Sequence, residues 1–328
     1  MVKMGKLFMA IIITLFILSV FTLAYKYVPI RVVSPNGPTD YYWKPGSMMN
    51  TMEEGFSFLR TDANGYMNYH PKTAGNDVDV VVMGSSHVEG VQVTEKENMT
   101  YVMNDLLEDV VYNVGISGHD FFTCIDNLPN VISHFHPQKA IIIEMSSIPL
   151  STDDMNMIME ERYPEINSKT GKLVEISQIL FPATKRIVIS LQSWIKNDSN
   201  GKKPEKTENI SDEEFKAALQ RFLPYVKTKT QDLRLIFFLH PSYKIDALGE
   251  LIFTDDSQKR EIFEEECLKN NIEFVDLRED YLKLYKDNHV LPNGFINTAI
   301  GSGHLNKYGH QLIGERLAEV IKEGEDET

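Results

Sequence analysis

The sequence is poor in cysteine and in positive charge, and both shortages restrict its function. It has two cysteines, Cys124 and Cys267, and neither lies in a Cys-x-x-Cys motif or a Cys/His cluster with zinc spacing. We expect both to be small buried apolar residues, with a disulfide left open in an oxidising compartment. Acidic residues outnumber basic ones by 47 to 33, and the formal net charge is −14. Such a surface repels phosphate backbones, so no nucleic-acid partner is expected. Phosphate-cradling Gly-rich loops are also missing, and no cofactor or metal is predicted.

The longest apolar run lies at the N-terminus. Lys3 and Lys6 precede residues 7–25, LFMAIIITLFILSVFTLAY, which carry no charge. This run approaches the ~20 residues that a helix needs to cross a bilayer. Its exit, TLAYKYVP, lacks a small-residue cleavage site, so we expect an uncleaved transmembrane anchor over residues 1–28. The two lysines favour an N-terminus in the cytoplasm and a body outside, although Lys26 and Arg31 after the run oppose this orientation.

Beyond residue 76, short aliphatic runs alternate with amphipathic segments. The runs predict buried strands at 77–83, 110–116, 140–145, 233–239 and 272–277. Capping boxes and helical spacing of apolar residues predict helices between them. This alternation indicates an α/β fold, a three-layer α/β/α sandwich with a roughly five-stranded parallel sheet of flavodoxin-like type.

The remaining segments define the domain organisation. Residues 29–76 are rich in turn residues and predict an extended lead-in to a domain over 77–328. Within that domain, about 151–231 has no comparable strand-like run and predicts a mostly helical insertion. Its polar stretch 197–209 is expected to be a mobile loop.

Three Gly-rich segments carry the candidate chemistry. Ligands of open parallel sheets bind at the carboxyl ends of the strands. The first strand is followed there by GSSHVEG (84–90), the second ends in NVGISGHD (113–120), and GSGHLNKYGH (301–310) precedes the last helix. Each segment has an ordinary structural interpretation: a helix cap, a tight turn or a solvated histidine. A serine at a strand-to-helix turn is also suited to nucleophilic attack near free N–H groups.

Taken in order, the three segments resemble the motif blocks of the SGNH/GDSL hydrolases. The matching residues are Gly84-Ser85-Ser86, Asn113-x-Gly115-x-Ser117-Gly118 and His304-x-Asn306-x-x-Gly309. The resemblance covers roughly 77–325 without the insertion. It implies that Ser86 is the nucleophile, that His304 is its base, and that the N–H groups of Ser86 and Gly118 form the oxyanion hole.

The acid of the catalytic set departs from the family pattern. The family places it three residues before the histidine, where this chain has Gly301. The partner of His304 is therefore either a backbone carbonyl, which would leave a Ser-His dyad, or a carboxylate from another strand end. Asp120 and Glu144 are the candidates.

The family's third block, whose Asn donates to the oxyanion, is also altered. After the third predicted strand the chain reads EMSSIPL, without Asn. Either Ser146 or Ser147 donates instead, or the hole has backbone donors alone. Three further side chains near the strand ends are candidate substrate contacts: His87, His240 and Asn297.

The resemblance implies acyl-ester chemistry through an acyl-Ser86 intermediate. The acyl group would pass to water or to a sugar hydroxyl, in a domain held outside the cell membrane by a single-pass anchor. Anchored relatives modify cell-envelope polysaccharides, sometimes beside a multi-span acyl donor protein. Two alternatives remain: a non-catalytic glycan-binding or assembly protein on a degenerate SGNH scaffold, favoured by Gly301 and the missing Asn, and a flavodoxin-like binding module.

Overall fold

A computed structural model describes residues 2–25, 31–33, 41–51, 54–75, 77–160, 210–230 and 233–326. Helix α1 spans Val2–Tyr25, and its described side chains from 5 to 18 are exposed. Among the residues described, no helix is found that is both long and apolar enough to cross a membrane. The N-terminal anchor stays a prediction.

The segment predicted as an extended lead-in contains four short strands. They form two antiparallel pairs, β1 (Arg31–Val33) with β2 (Tyr41–Trp43), and β3 (Met48–Thr51) with β4 (Ser57–Arg60). Trp43, from β2, packs in a small buried cluster with apolar side chains of β3 and β4 and with Val91 of the following domain. The lead-in is thus fixed to the α/β domain by its own apolar core.

The following domain alternates strands and helices, as the sequence predicts. Its elements are β5 (Val80–Met83), α2 (Ser86–Glu89), α3 (Met99–Leu106), β6 (Val111–Asn113), α4 (Phe121–Phe135), β7 (Ala140–Met145), α5 (Thr152–Met159), α6 (Asp212–Lys229), β8 (Arg234–Leu239), β9 (Tyr243–Ile245), β10 (Leu251–Phe253), α7 (Ser257–Lys269), β11 (Ile272–Asp276), α8 (Arg278–Asn288) and α9 (Lys307–Asp326). Five strands form one parallel sheet in the order β11-β8-β7-β5-β6, and β9 and β10 form a separate hairpin. The predicted α/β fold with a five-stranded parallel sheet is confirmed.

Both faces of the sheet are covered by helices, which explains why its strands are mostly apolar. In β5, Val81 faces a core formed with α4, α5, α6 and α7, whereas Val80 and Val82 face a second core formed with α3, α8 and α9. Cys124 and Cys267 are free thiols buried in the first core. They serve there as small apolar side chains.

The predicted insertion is described only near its ends. Helix α5 lies at the beginning and α6 at the end, while 161–209, including the predicted loop 197–209, lies outside the described residues. The predicted capping box is present at the start of α6. There the Ser211 N–H donates to the Glu214 carboxylate at 3.1 Å, and the Glu214 N–H donates back to the Ser211 hydroxyl at 3.2 Å.

A buried histidine in α9 predicts acid sensitivity of the fold. His310 is 1% exposed, and its Nδ1 accepts from the Met99 N–H at 3.3 Å. Burial lowers the pKa of His310 from 6.5 to about 3. The unfolded chain therefore binds a proton that the folded chain does not, and stability falls as the pH drops below 6.5. By pH 5 this one group removes about 2 kcal/mol from the free energy of unfolding.

We expect His310→Gln, which cannot titrate in this range, to lose less stability between pH 7 and pH 5 than the wild type does. Urea unfolding at the two pH values measures the difference, with the exposed His134→Gln as the matched control. An equal loss in His310→Gln and in the wild type would show that His310 is not the source.

Candidate active site

The turn after β5 places Ser86 at the carboxyl edge of the sheet. Ser85 caps α2 by accepting the His87 N–H at 3.2 Å, and Ser86 is the first residue of that helix. Glycine is required at position 84 because an added Cβ would lie 2.3 Å from the Glu144 carboxylate and 2.4 Å from Val88. The tight turn leaves the Ser86 side chain half-buried rather than enclosed in the core.

The loop before α9 brings His304 to this serine. Nε2 of His304 lies 2.9 Å from the Ser86 hydroxyl, within hydrogen-bonding distance. Asn306 fixes the loop in two ways: its side-chain oxygen caps α9 by accepting from the Tyr308 N–H at 2.9 Å, and its amide donates to the Leu291 carbonyl at 2.8 Å. The structure thus joins the predicted nucleophile and base.

The acid partner of His304 is Glu54, which the sequence did not predict. Its carboxylate lies 2.5 Å from Nδ1 of His304 and accepts the His304 backbone N–H at 2.7 Å. Glu54 belongs to the connection between β3 and β4 of the lead-in. A carboxylate on Nδ1 fixes the ring so that Nε2 can accept the serine proton. Ser86, His304 and Glu54 therefore form a hydrogen-bonded chain with the geometry of a Ser-His-acid triad.

Neighbouring residues shape the pocket for the Glu54 carboxylate. Gly303 has φ +82°, and an added Cβ there would lie 2.2 Å from the Glu54 oxygen. Gly55 has φ +69°, and its N–H and carbonyl are both bound at 3.0 Å by the Asn297 side chain. Asn297, predicted as a substrate contact, instead holds the loop that carries Glu54.

The two carboxylates predicted as partners of His304 have other contacts, and that prediction is wrong. Asp120 is exposed and caps α4, accepting the Thr123 N–H at 2.8 Å. Glu144 is 3% exposed and accepts the Ser85 N–H at 2.5 Å and the Ser85 hydroxyl at 3.1 Å. Through these hydrogen bonds it holds the turn that carries Ser86 instead of orienting His304.

A second carboxylate–histidine pair lies beside the triad. Nε2 of His240 is 2.7 Å from Glu144, so His240, predicted as a substrate contact, is buried in this pair. Burial raises the pKa of Glu144, but the hydrogen bond and charge of His240, with smaller contributions from His87 and the Ser85 N–H, outweigh it and lower the pKa from 4.5 to about 2. Glu144 is therefore ionised at neutral pH.

His87 lies between the two histidines already described. Its ring centroid is 4.4 Å from that of His240 and 5.3 Å from that of His304. Burial, followed by the charge of His240, lowers the pKa of His87 from 6.5 to about 3, so its ring is neutral. Side-chain atoms of His87, Glu144 and His240 lie within 4.8 Å of one another, close enough to hold a cation. Hydrogen bonds already account for this arrangement. Glu144 accepts from the Ser85 N–H and contacts His240, and His87 accepts from the Leu305 N–H.

The candidate oxyanion donors lie on two adjoining turns. Within the described part of the chain, no group accepts from the N–H of Ser86 or of Gly118. The buried Glu89 carboxylate ties the turns together by accepting the Ser117 N–H at 3.0 Å and the Ser117 hydroxyl. Ser146 is exposed directly after β7, and its hydroxyl has no partner among the residues described. The roles of these groups stay predictions.

Comparisons with known proteins found matches among solved structures only. No protein-family model matches it, and no curated protein sequence matches it. Several similar solved structures are described as lipolytic proteins of the G-D-S-L family. One, from Veillonella parvula DSM 2008, is 15% identical, with a TM-score of 0.40 over 75% of this chain and 98% of that one.

Two similar structures are esterases. An acetyl xylan esterase, AlAXEase, is 14% identical, with a TM-score of 0.41 over 74% of this chain and all of its own. A two-domain esterase active on acetylated mannans is 11% identical, with a TM-score of 0.42 over 77% of this chain and 50% of its own. Similarity at this level assigns no activity to the chain.

Alanine substitutions at two glycines with the same φ angle test whether the Glu54 contact contributes to the reactivity of Ser86. Gly301 and Gly303 both have φ +82°, so alanine adds similar backbone strain at each. At position 301 the new Cβ meets the end of the Leu291 side chain at 2.8 Å, whereas at 303 it displaces the Glu54 carboxylate.

We expect Gly303→Ala to slow phosphonylation of Ser86 by a fluorophosphonate by at least about tenfold more than Gly301→Ala does, because the base loses its orienting partner. Labelling rates followed by intact-protein mass spectrometry measure this. Equal rates in the two variants would contradict a role for the Glu54 contact.

Proposed function

We propose that the chain is a serine-dependent enzyme that hydrolyses or transfers acyl esters through an acyl-Ser86 intermediate. The observation that carries the proposal is the continuous chain of contacts from the Ser86 hydroxyl through His304 to Glu54. A serine hydroxyl is a weak nucleophile at neutral pH, so a base in direct contact is the feature that separates a reactive serine from a helix cap.

In the first half of the reaction, the Ser86 oxygen attacks the ester carbonyl while its proton moves to Nε2 of His304. The resulting oxyanion is stabilised by the free N–H groups of Ser86 and Gly118. The carbon–oxygen bond to the alcohol then breaks, and His304 returns the proton to the departing oxygen. In the second half, water or an acceptor hydroxyl gives its proton to His304 and attacks the acyl carbonyl. The carbon–oxygen bond to Ser86 then breaks, and His304 returns the proton to the serine oxygen.

Glu54 supports both halves without leaving its position. Its carboxylate holds His304 with Nε2 directed at Ser86, and its negative charge stabilises the imidazolium that forms in each half. The carboxylate contacts His304 at two points, at Nδ1 of the ring and at the backbone N–H, and together these contacts hold the ring in one orientation.

The non-catalytic alternative loses its main support. That support is Gly301, which stands where the family has an acid, whereas here Glu54 supplies a carboxylate to Nδ1 of His304. The absence of an Asn donor after β7 is the remaining argument for a degenerate site.

We also propose the setting of this reaction. The uncharged run 7–25 supports a single-pass anchor in the cell membrane with the α/β domain outside. A cell-envelope glycan is the proposed substrate or acceptor, and a multi-span acyl donor protein is a proposed partner if the reaction is a transfer. Activity of similar folds toward acetylated polysaccharides is compatible with this choice.

We expect Ser86→Ala to abolish hydrolysis of 4-nitrophenyl acetate and fluorophosphonate labelling. Glu54→Gln should lower kcat by roughly 10²–10⁴, because an amide favours the wrong tautomer of His304. Asp120→Asn is the matched control, since it changes an exposed carboxylate that only caps a helix, and it should retain wild-type activity. Steady-state kinetics on folded protein measure all three.

Two results would overturn the proposal. One is a folded wild type that neither turns over the ester nor reacts with the fluorophosphonate. The other is full activity in Ser86→Ala.

A further inference from the structure

The ring of His87 is held in place from several directions. The backbone N–H of His87 donates to the Ser85 hydroxyl at 3.2 Å. The His240 ring packs against the His87 ring, with 4.4 Å between the ring centroids. His240 is itself fixed by the ionised Glu144. The side chain that directly follows the nucleophile is thus positioned by a buried carboxylate–histidine pair.

The contacts also determine which nitrogen of His87 carries the hydrogen. The backbone N–H of Leu305 donates to Nδ1 of His87 at 3.3 Å. Nδ1 is therefore an acceptor, and a neutral ring must then carry its hydrogen on Nε2. Among the residues that the structure describes, no group accepts from this Nε2–H. His87 thus has a neutral donor on the residue that follows Ser86.

The candidate site lacks one donor that its chemistry would use. The sequence after β7 has no Asn to reach the oxyanion, and Ser146 at this point is exposed. Side-chain donors serve as well as backbone N–H groups in an oxyanion hole, and removing one costs about 10²–10³ in kcat. A neutral donor suits this position, since a charged histidine at this distance would oppose protonation of His304.

We propose that the Nε2–H of His87 is the side-chain donor to the oxyanion of the substrate, in the role left open by the missing Asn. This rests on the proposed acyl-ester reaction. His87 takes no proton in any step. It donates a hydrogen bond to the oxygen that becomes negative when Ser86 attacks, while Glu144 and His240 act as positioning residues that keep its ring in place.

Two substitutions separate donation from packing. Gln at position 87 can place an amide N–H near the position of Nε2, whereas Phe keeps the ring against His240 and has no donor. We expect His87→Phe to lower kcat for 4-nitrophenyl acetate by about 10²–10³ with a smaller change in KM, and His87→Gln to retain more activity than Phe. The pH dependence of kcat should keep its shape in His87→Gln, because His87 does not titrate in the working range. Thermal unfolding shows whether each variant is folded.

The outcomes separate the two proposals. A Phe variant as active as the Gln variant, or more so, would overturn the role of His87 and leave the acyl-enzyme intact. A wild type without turnover or labelling would overturn the acyl-enzyme reaction, and the His87 role with it. If the Phe variant does not fold, ¹⁵N NMR of the wild type decides: a hydrogen on Nε2 of a neutral His87 between pH 5 and 8 supports the proposal, and one on Nδ1 contradicts it.

Discussion

The carboxylate of Glu54 binds both the backbone N–H and the Nδ1 of His304, across a sequence separation of 250 residues. This contact orients the base toward Ser86, and it exists only because the lead-in packs on the α/β domain. The indole N–H of Trp43 donates to the buried Glu89, and Asn68 exchanges two hydrogen bonds with the backbone of Asn113, at 2.8 and 3.0 Å. The described part of the lead-in therefore belongs to the candidate active site and is not a spacer.

Three carboxylates near the site have three different tasks. Glu54 is half-buried beside His304, where the proposed reaction uses its negative charge to stabilise an imidazolium. Glu144 is buried under the nucleophile turn, where its hydrogen bonds hold Ser85 and His240. Glu89 is buried between the turns after β5 and β6 and holds both in register with the lead-in. Buried carboxylates persist here because donors surround each of them, as the cost of desolvation requires.

The sequence predicts what depends on local spacing. The apolar runs identify the five strands of the parallel sheet within a few residues. The resemblance of the Gly-rich segments to the SGNH/GDSL motif blocks implies Ser86 and His304, which the sheet then brings together. Glu54 could not be found this way. It lies in a turn-rich segment with no motif around it, and its contact arises from the docking of a hairpin far away in the chain. The side chains of His240 and Asn297 were predicted near the site for the same positional reason, but their partners are set by tertiary packing.

The hydrogen bond between Glu54 and His304 can be measured directly. An imidazole proton held between Nδ1 and a carboxylate gives a strongly deshielded ¹H resonance, which ¹⁵N-histidine labelling and the His304→Gln variant assign. If Glu54 binds His304, this resonance is present in the wild type and in Asp120→Asn and is lost in a folded Glu54→Gln. A resonance that persists unchanged in Glu54→Gln would show that the partner of His304 is some other group.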